Sequence, residues 1–362
     1  MYDIAIIGAG INGCSIANEF KDEKQSVVIF DKDGIASGGS GAAGAFISPK
    51  FSKSGELKEL LHLAFVYSLA FYEKHFEHIL TKAQLLHLAQ TPEDAETFKI
   101  YKEKTDLELL EVKGESREYI SINAGLVDAK RICEAMAKSA SLIKEEVTSL
   151  VYDDGVWIIN EAYAAKEVVL ATGAYSPLIK EPYIQLRGVW GHRIDIKTTT
   201  TNPHSIHQFV SISPSSDGVL AIGATHNVHY HPETSKEPYD IEAGREELLE
   251  KASRTMKLEN VEVVKDYMGL RSGSFDYMPL LGSLVLSKET LANKSLCFKV
   301  KNADYSEYTY YPNLYMINGS GGYGFVLAPY LAKILKEHIV SGKKISDRIS
   351  PARFFARWAK KL

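Results

Sequence analysis

The stretch from Tyr2 to Asp31, YDIAIIGAGINGCSIANEFKDEKQSVVIFD, decides the fold. Its opening run YDIAII is short and apolar, as a strand covered on both faces requires. GAGING follows, then CSIANEFK with helical spacing, then a second apolar run, SVVIF, closed by Asp31. Gly8, Gly10 and Gly13 make G-x-G-x-x-G between strand and helix, and Asp31 stands eighteen residues after Gly13. Gly8 allows the tight turn, Gly10 lets backbone N–H groups approach a pyrophosphate, and Gly13 lets helix and strand pack closely. The first helical turn, with Ala9, Ile11 and Asn12 around it, brings the positive dipole end to the phosphates. Asp31, followed by Lys32, can accept hydrogen bonds from ribose hydroxyls and would repel a 2′-phosphate. A glycine turn that is merely structural needs none of this context, so a dinucleotide is expected here.

Working outward, the loop GIASGGSGAAG (Gly34 to Gly44) has five glycines in eleven residues. A nicotinamide domain would continue with regular strand–helix units; this loop suits a long, extended cofactor wrapped by backbone amides. LATGAYS (Leu170 to Ser176) puts a Thr-Gly turn directly after an apolar run, and NGSGGYGF (Asn318 to Phe325) puts another at a helix start. Three glycine turns, each at the end of a strand, suit a two-headed ligand, and the last helix dipole can stabilise negative charge on a reduced ring. FAD fits better than NAD.

The remaining pattern predicts a long amphipathic helix over Glu56 to Thr81, another over Pro92 to Lys104, and one capped by Asp128 through Ala140. VWIIN and EVVLATG read as strands. Leu186 to Val300 alternates and is rich in Thr, Ser and His, as an antiparallel sheet is. The predicted organisation is interleaved: residues 1–50, 120–182 and 308–345 form a FAD-binding domain, 51–119 and 183–307 a substrate domain, and 346–362 a basic C-terminal helix.

At 362 residues and 45% apolar, the chain has ample core for about two domains, and its composition excludes disorder and collagen-like repeats. Three scattered cysteines exclude a disulfide framework or a Cys-built zinc site. No signal-like N-terminus and no membrane-length apolar run is visible, so a cytoplasmic protein is expected. The net charge of −4 conceals an asymmetry: from Lys333 to Leu362 there are nine Lys or Arg against two acids. The acidic body argues against nucleic acid as a partner; the basic tail argues for it.

The run GAGING…FDKD…ASGGSGAAGAFISPK, then ATGAYS, GLRSGSFDYMPLLG and NGSGGYGFVLAPYLAKIL, resembles the D-amino-acid oxidase superfamily of FAD enzymes, which includes glycine and sarcosine oxidases. The motifs cover nearly the whole chain in family order. SPKFSK, AIGAT and ISPARFFARWAKKL make it most similar to the FAD-dependent domain of tRNA wobble-uridine modification enzymes of the MnmC type. The resemblance implies an α/β fold: a Rossmann-like FAD-binding domain of the glutathione-reductase type, interleaved with an α+β substrate domain on an antiparallel sheet. It assigns noncovalent FAD to Gly8, Ala9, Gly10, Ile11, Asn12, Gly13, Asp31, Lys32, Ser37, Gly38, Ser40, Gly41, Val147, Ala171, Thr172, Gly173, Arg271, Gly321, Gly322, Tyr323 and Gly324. The glycine-rich loop and YSEYTYYPN offer no His or Cys for a covalent tether.

The activity implied is oxidative removal of the carboxymethyl group from 5-carboxymethylaminomethyl(-2-thio)uridine, giving glyoxylate and the aminomethyl base. A carboxylate-bearing substrate calls for a cation, and Arg271 is the implied clamp. Lys50 and Lys53 either point into the pocket, towards carboxylate, tRNA or dioxygen, or are solvated. Tyr323 stands where this subfamily is expected to carry a basic residue. With Gly8 so near the start, no methyltransferase is expected ahead of the FAD domain, and a separate methyltransferase is an expected partner. The alternatives are an oxidase or dehydrogenase of glycine, sarcosine or a D-amino acid, and a catalytically silent flavin-binding module. Arg271 counts against silence.

His226, His229 and His231 have a metal-like spacing, but nothing nearby completes a site, and they read as loop histidines. Ser350 and Pro351 are expected to start a final helix whose Arg353, Arg357, Lys360 and Lys361 either face tRNA phosphates or are solvated, with Phe354, Phe355 and Trp358 on other faces.

Overall fold

The computed structural model describes residues 1–175, 178–298 and 303–362. Ser176 of the Thr-Gly segment and Val300, the expected end of the alternating region, lie outside the described residues. Two sheets organise the chain. The first runs in the order Leu280–Val285, Tyr310–Asn318, Tyr163–Leu170, Tyr2–Ile7, Val27–Phe30, Ser141–Ile143, with the hairpin Leu150–Asp153/Val156–Ile159 attached to Tyr163–Leu170. Its centre is parallel: Tyr2–Ile7 pairs in parallel with Val27–Phe30 on one side and Tyr163–Leu170 on the other. Both faces are covered, so Ile4, Ala5 and Ile6 are buried, as the unbroken apolar run requires.

The helices Ile11–Glu19 and Gly324–Ser341 pack on one face of this sheet. The helix Glu56–Phe76 ties onto the second of them: Tyr72 Oη donates to Phe325 O at 2.9 Å and Ser68 Oγ to Val326 O at 2.7 Å. Of its aromatics, Phe65, Tyr72 and Phe76 are buried in the core, and Tyr67 and Phe71 are half-buried. Cys14 is likewise a buried core residue. The helix stops at Phe76 rather than Thr81, because Leu80 opens a strand, Leu80–Leu88, that pairs with Tyr119–Val127.

The second sheet runs Glu262–Ser274, Leu186–Lys197, Val219–Gly223, Ser211–Ile212, Ser205–His207, Leu80–Leu88, Tyr119–Val127, Phe46–Ile47. Every pairing is antiparallel except Ser205–His207 with Leu80–Leu88. The sheets share out the chain differently from the predicted segments. Phe46–Ile47 and Tyr119–Val127, which apart from Tyr119 fall in the predicted FAD-binding segments, are hydrogen-bonded in the second sheet. Leu280–Val285, expected in the substrate segment, pairs with Tyr310–Asn318 in the first. A strand joins whichever sheet its partner completes, and an apolar alternation does not name that partner.

The helix capped by Asp128 ends at Ala137 rather than Ala140; Asp128 accepts from Arg131 N at 2.8 Å. The last helix is Ala352–Ala359, with Ser350 Oγ accepting from Ala352 N at 3.3 Å. Phe354 and Phe355 dock on the opposite face of the first sheet with Tyr183, Tyr308 and Phe298. Arg357, Lys360 and Lys361 are exposed. Arg353 is not: only 11% of its side chain is exposed, held by Asp276. The expectation that Arg353 faces phosphates is therefore corrected. None of the helices described is long and apolar enough to cross a membrane.

Candidate active site

The three glycine turns converge on one cavity of about 810 Å³, towards the upper end of the range for small-molecule sites. Asn318, fully buried, stitches them together: its Nδ2 donates to Gly173 O (3.0 Å), and its Oδ1 accepts from Gly319 N (2.8 Å) and Ser272 Oγ (2.8 Å). Asn12 links the first turn to the third, its Oδ1 accepting from Ser320 Oγ at 3.3 Å. Side-chain amides thus tie the segments 12, 173, 272 and 318–320 together, in addition to the strand pairing of Ser272 with Gly188, of Asn318 with Leu280 and of Gly273 with Ser320.

Gly8, Gly10, Ile11, Asn12, Asp31, Lys32, Ser37, Gly38, Ser40, Lys50, Val147, Ala171, Thr172, Gly173, Arg271, Gly321, Gly322, Tyr323 and Gly324 all line this cavity. Ala9, Gly13 and Gly41, expected with them, do not. Ala9 is buried, and its amide donates to Asp31 Oδ2 at 2.8 Å. A Cβ on Gly13 would collide with Gly8 O, and one on Gly41 with Ala36 O. Both glycines therefore serve close backbone packing. Lys53 is exposed and outside the cavity.

Asp31 Oδ1 accepts from the amides of Asp33 (3.0 Å) and Gly34 (2.9 Å), which fixes the carboxylate at the end of its strand. The N-cap of the helix Ile11–Glu19 is Gly10, which has no side chain to cap it; Ser40 Oγ accepts from Ile11 N at 2.9 Å, and the rest of the first turn presents its dipole to an anion. Gly321 and Gly322 have open space where a Cβ would stand, ahead of the helix Gly324–Ser341. This donor set fits FAD: open helix starts for phosphates, a fixed carboxylate for ribose, and a bare glycine turn where a flat ring can approach. Burial raises the Tyr323 phenol above its ordinary value, so it stays protonated at neutral pH.

The second sheet forms the opposite wall. On one face of the strand Leu186–Lys197, Val189 stands across from Arg271 and Gly191 across from Gly269. A Cβ on Gly191 would collide with the Arg271 guanidinium, so the glycine makes the room in which that cation lies. Arg271 Nη1 donates to Thr225 O at 3.0 Å. No carboxylate pairs with it among the described residues, and burial pulls its pKa down from the ordinary value. A poorly hydrated, unpaired guanidinium in a cavity is a receptor for a carboxylate.

Sequence reasoning did not single out Arg193, His87 or His207, which also line the cavity. Arg193 stacks on Tyr267, its guanidinium 3.8 Å from the ring centroid. His87 and His207 meet with ring centroids 5.9 Å apart, and burial pulls them down to about 4 and about 3 respectively, so both are neutral. The signal for the arginine was the G-x-R of WGHRID, a glycine and an arginine on one strand face. His226 and His229 line a shallow second pocket, and among the described residues no group of three potential ligands forms a metal site.

The comparisons with known proteins agree with this architecture. The chain is 24% identical to the tRNA 5-methylaminomethyl-2-thiouridine biosynthesis bifunctional protein MnmC of Legionella pneumophila (strain Corby), over 97% of this chain and 57% of that protein. It is 24% identical to the MnmC of Caulobacter sp. (strain K31), over 98% of this chain and 58% of that protein. The chain thus spans somewhat under two thirds of the curated relatives it matches. Its fold is that of glycine oxidase from Geobacillus kaustophilus (TM-score 0.75, 23% identity, 98% of this chain and 97% of that one). Iminodiacetate oxidase from Chelativorans sp. BNC1 is similar too (TM-score 0.72, 16% identity, 96% and 98%). The family model for FAD dependent oxidoreductases, DAO, matches residues 3–338, nearly the whole chain, and the chain therefore belongs to the DAO family of FAD-dependent oxidoreductases.

Proposed function

We propose that this oxidoreductase acts on the CH–NH group of an N-substituted glycine, the carboxymethylamino group of 5-carboxymethylaminomethyl(-2-thio)uridine in tRNA. The observation that carries the reading is Arg271, a buried guanidinium over Gly191 with a backbone carbonyl as its partner and no carboxylate. The similarity to MnmC proteins along 97% of the chain supports the nucleic-acid substrate.

In this reading the Gly8–Gly13 turn and Asp31 hold the adenosine diphosphate end of FAD. Ser37, Gly38, Ser40, Val147 and Gly173 lie along its length, and Gly321, Gly322, Tyr323 and Gly324 meet the ring. FAD, when bound, takes up the electron pair lost from the substrate C–N unit. Arg271 grips the carboxylate bidentately, which fixes the adjacent methylene against rotation. Lys50 adds a further positive charge to the cavity, which Lys32 and Arg193 also line. The glycyl CH2–NH unit becomes C=N with loss of an electron pair and two protons, and water then splits it into glyoxylate and the aminomethyl base.

Nucleoside mass spectrometry of tRNA from a deletion strain tests this. Accumulation of 5-carboxymethylaminomethyluridine is expected. An unchanged nucleoside profile, with the purified enzyme oxidising glycine or sarcosine, would establish a small-molecule amino-acid oxidase, the reading that the acidic body of the chain favours.

A further inference from the structure

The strand that carries Arg271, Glu262–Ser274, ends in a turn with unusual properties. Phe275 and Tyr277 are 54% and 62% exposed, the two most exposed aromatic side chains among the described residues. An exposed aromatic on a loose loop would mean little, but this loop is braced. Ser274 Oγ donates to Met278 O (2.7 Å), Met278 N donates to Asp276 Oδ1 (3.2 Å), and Arg353 clamps Asp276 and Met278 O from the C-terminal helix. Tyr277 itself sits at φ +64°, a region that a bulky L side chain rarely adopts.

The Tyr277 ring lies under the Arg187 guanidinium, 4.4 Å from centroid to Cζ. Arg187 stands across from Gly273 and on the same strand face as Arg271's neighbour Val189. Its Nε is buried and has no hydrogen-bond partner. Ser272, two residues before the turn, lines the cavity. A rigid turn thus presents the exposed Phe275 ring and the Tyr277 ring stacked on a guanidinium, a few residues along the strand from the substrate clamp.

Unpaired RNA bases stack on aromatic rings and on Arg planes, whereas a folded core would have covered such rings. We propose that Phe275, Tyr277 and Arg187 form a stacking platform for the nucleotides that flank the oxidised base in a single-stranded RNA loop. The inference rests on the tRNA reading above and adds how the loop is held open: neighbours of the reacting base stack outside while its side arm reaches Arg271. The phosphate-rich partner matches the cationic Arg187, and a flat aromatic surface suits bases of any identity.

The test compares two probes: an anticodon stem-loop RNA carrying 5-carboxymethylaminomethyluridine at the wobble position, and the same modified nucleoside free. In the Phe275→Ser/Tyr277→Gly variant, where Gly accommodates the positive φ, kcat/KM on the stem-loop should fall on the order of 10- to 100-fold, mostly through KM. Turnover of the free nucleoside should stay within about twofold, and Phe275→Tyr/Tyr277→Phe should restore the stem-loop rate, as stacking requires. A stem-loop with 2-aminopurine next to the wobble base should lose fluorescence on the wild type and much less on the variant. Unchanged stem-loop kinetics, or an equal loss on both probes, would overturn the platform alone. A wild-type enzyme that oxidises the free nucleoside but not the stem-loop would overturn the tRNA reading and the platform with it.

Discussion

Arg353 Nε and Nη2 donate to the two carboxylate oxygens of Asp276 at 2.8 and 2.9 Å, joining the C-terminal helix to the turn after the Arg271 strand. The basic character of the tail therefore divides: Arg353 is a brace, and Arg357, Lys360 and Lys361 remain exposed. Desolvation pushes the Asp276 carboxyl up, but hydrogen bonding to and attraction by Arg353 outweigh it and hold the group below its ordinary 3.8. Its contribution to stability is thus present above 3.8 and is lost as pH falls through the lower folded value. Arg353→Gln should cost about 1–3 kcal/mol in urea denaturation at neutral pH, as breaking a charged, partly buried pair does. Its effect on the salt dependence of RNA binding should be nil, whereas Arg357→Gln/Lys360→Gln/Lys361→Gln should flatten that dependence if the tail meets phosphates.

The purified protein should be yellow and should release its FAD on denaturation. Gly13→Ala should yield protein with little or no flavin after gel filtration, because the new methyl would collide with Gly8 O and force the helix away from the turn. Flavin absorbance per polypeptide measures this. Full flavin content in Gly13→Ala would contradict the assignment of the turn, and colour retained by precipitated polypeptide would contradict noncovalent binding.

Arg271→Lys should raise KM strongly and lower kcat for a carboxylate-bearing substrate. A point charge replaces a planar fork, and the loss of a charge-assisted pair in a desolvated site costs roughly 2–5 kcal/mol. Gly191→Ala should act in the same direction without touching the charge, since its methyl occupies the space of the guanidinium. Steady-state kinetics on the free modified nucleoside separates the two parameters. Unaltered kcat/KM in Arg271→Lys would show that the carboxylate is held elsewhere.

His87 and His207 predict an acid limb of stability above the carboxylate range. Both are neutral when folded, at about 4 and about 3, against 6.5 for an unperturbed imidazole. Below 6.5 the unfolded chain binds protons that the folded chain refuses, so stability falls as pH drops from 6.5 towards 4. With two such groups the slope reaches about 2.7 kcal/mol per pH unit. Denaturation at a series of pH values should show it, and His207→Gln should roughly halve it.

The sequence by itself determined the turn from Gly8 to Gly13, the acid at Asp31 and the two further glycine turns. Those features are local: strand, turn and helix follow one another within a few dozen residues, and glycine is needed wherever backbones nearly touch. The clamp Arg271 was legible through family resemblance, but the space it occupies was not, because Gly191 lies eighty positions earlier and meets it only by strand pairing. The same holds for Asn318 reaching Gly173, for His87 beside His207, and for Arg353, whose charge read as a solvent-facing cation until the fold brought Asp276 against it. Sheet membership of Phe46–Ile47, Tyr119–Val127 and Leu280–Val285 also waited on the tertiary structure. An apolar run specifies that a strand must be covered; which strand covers it depends on long-range pairing that no local pattern encodes.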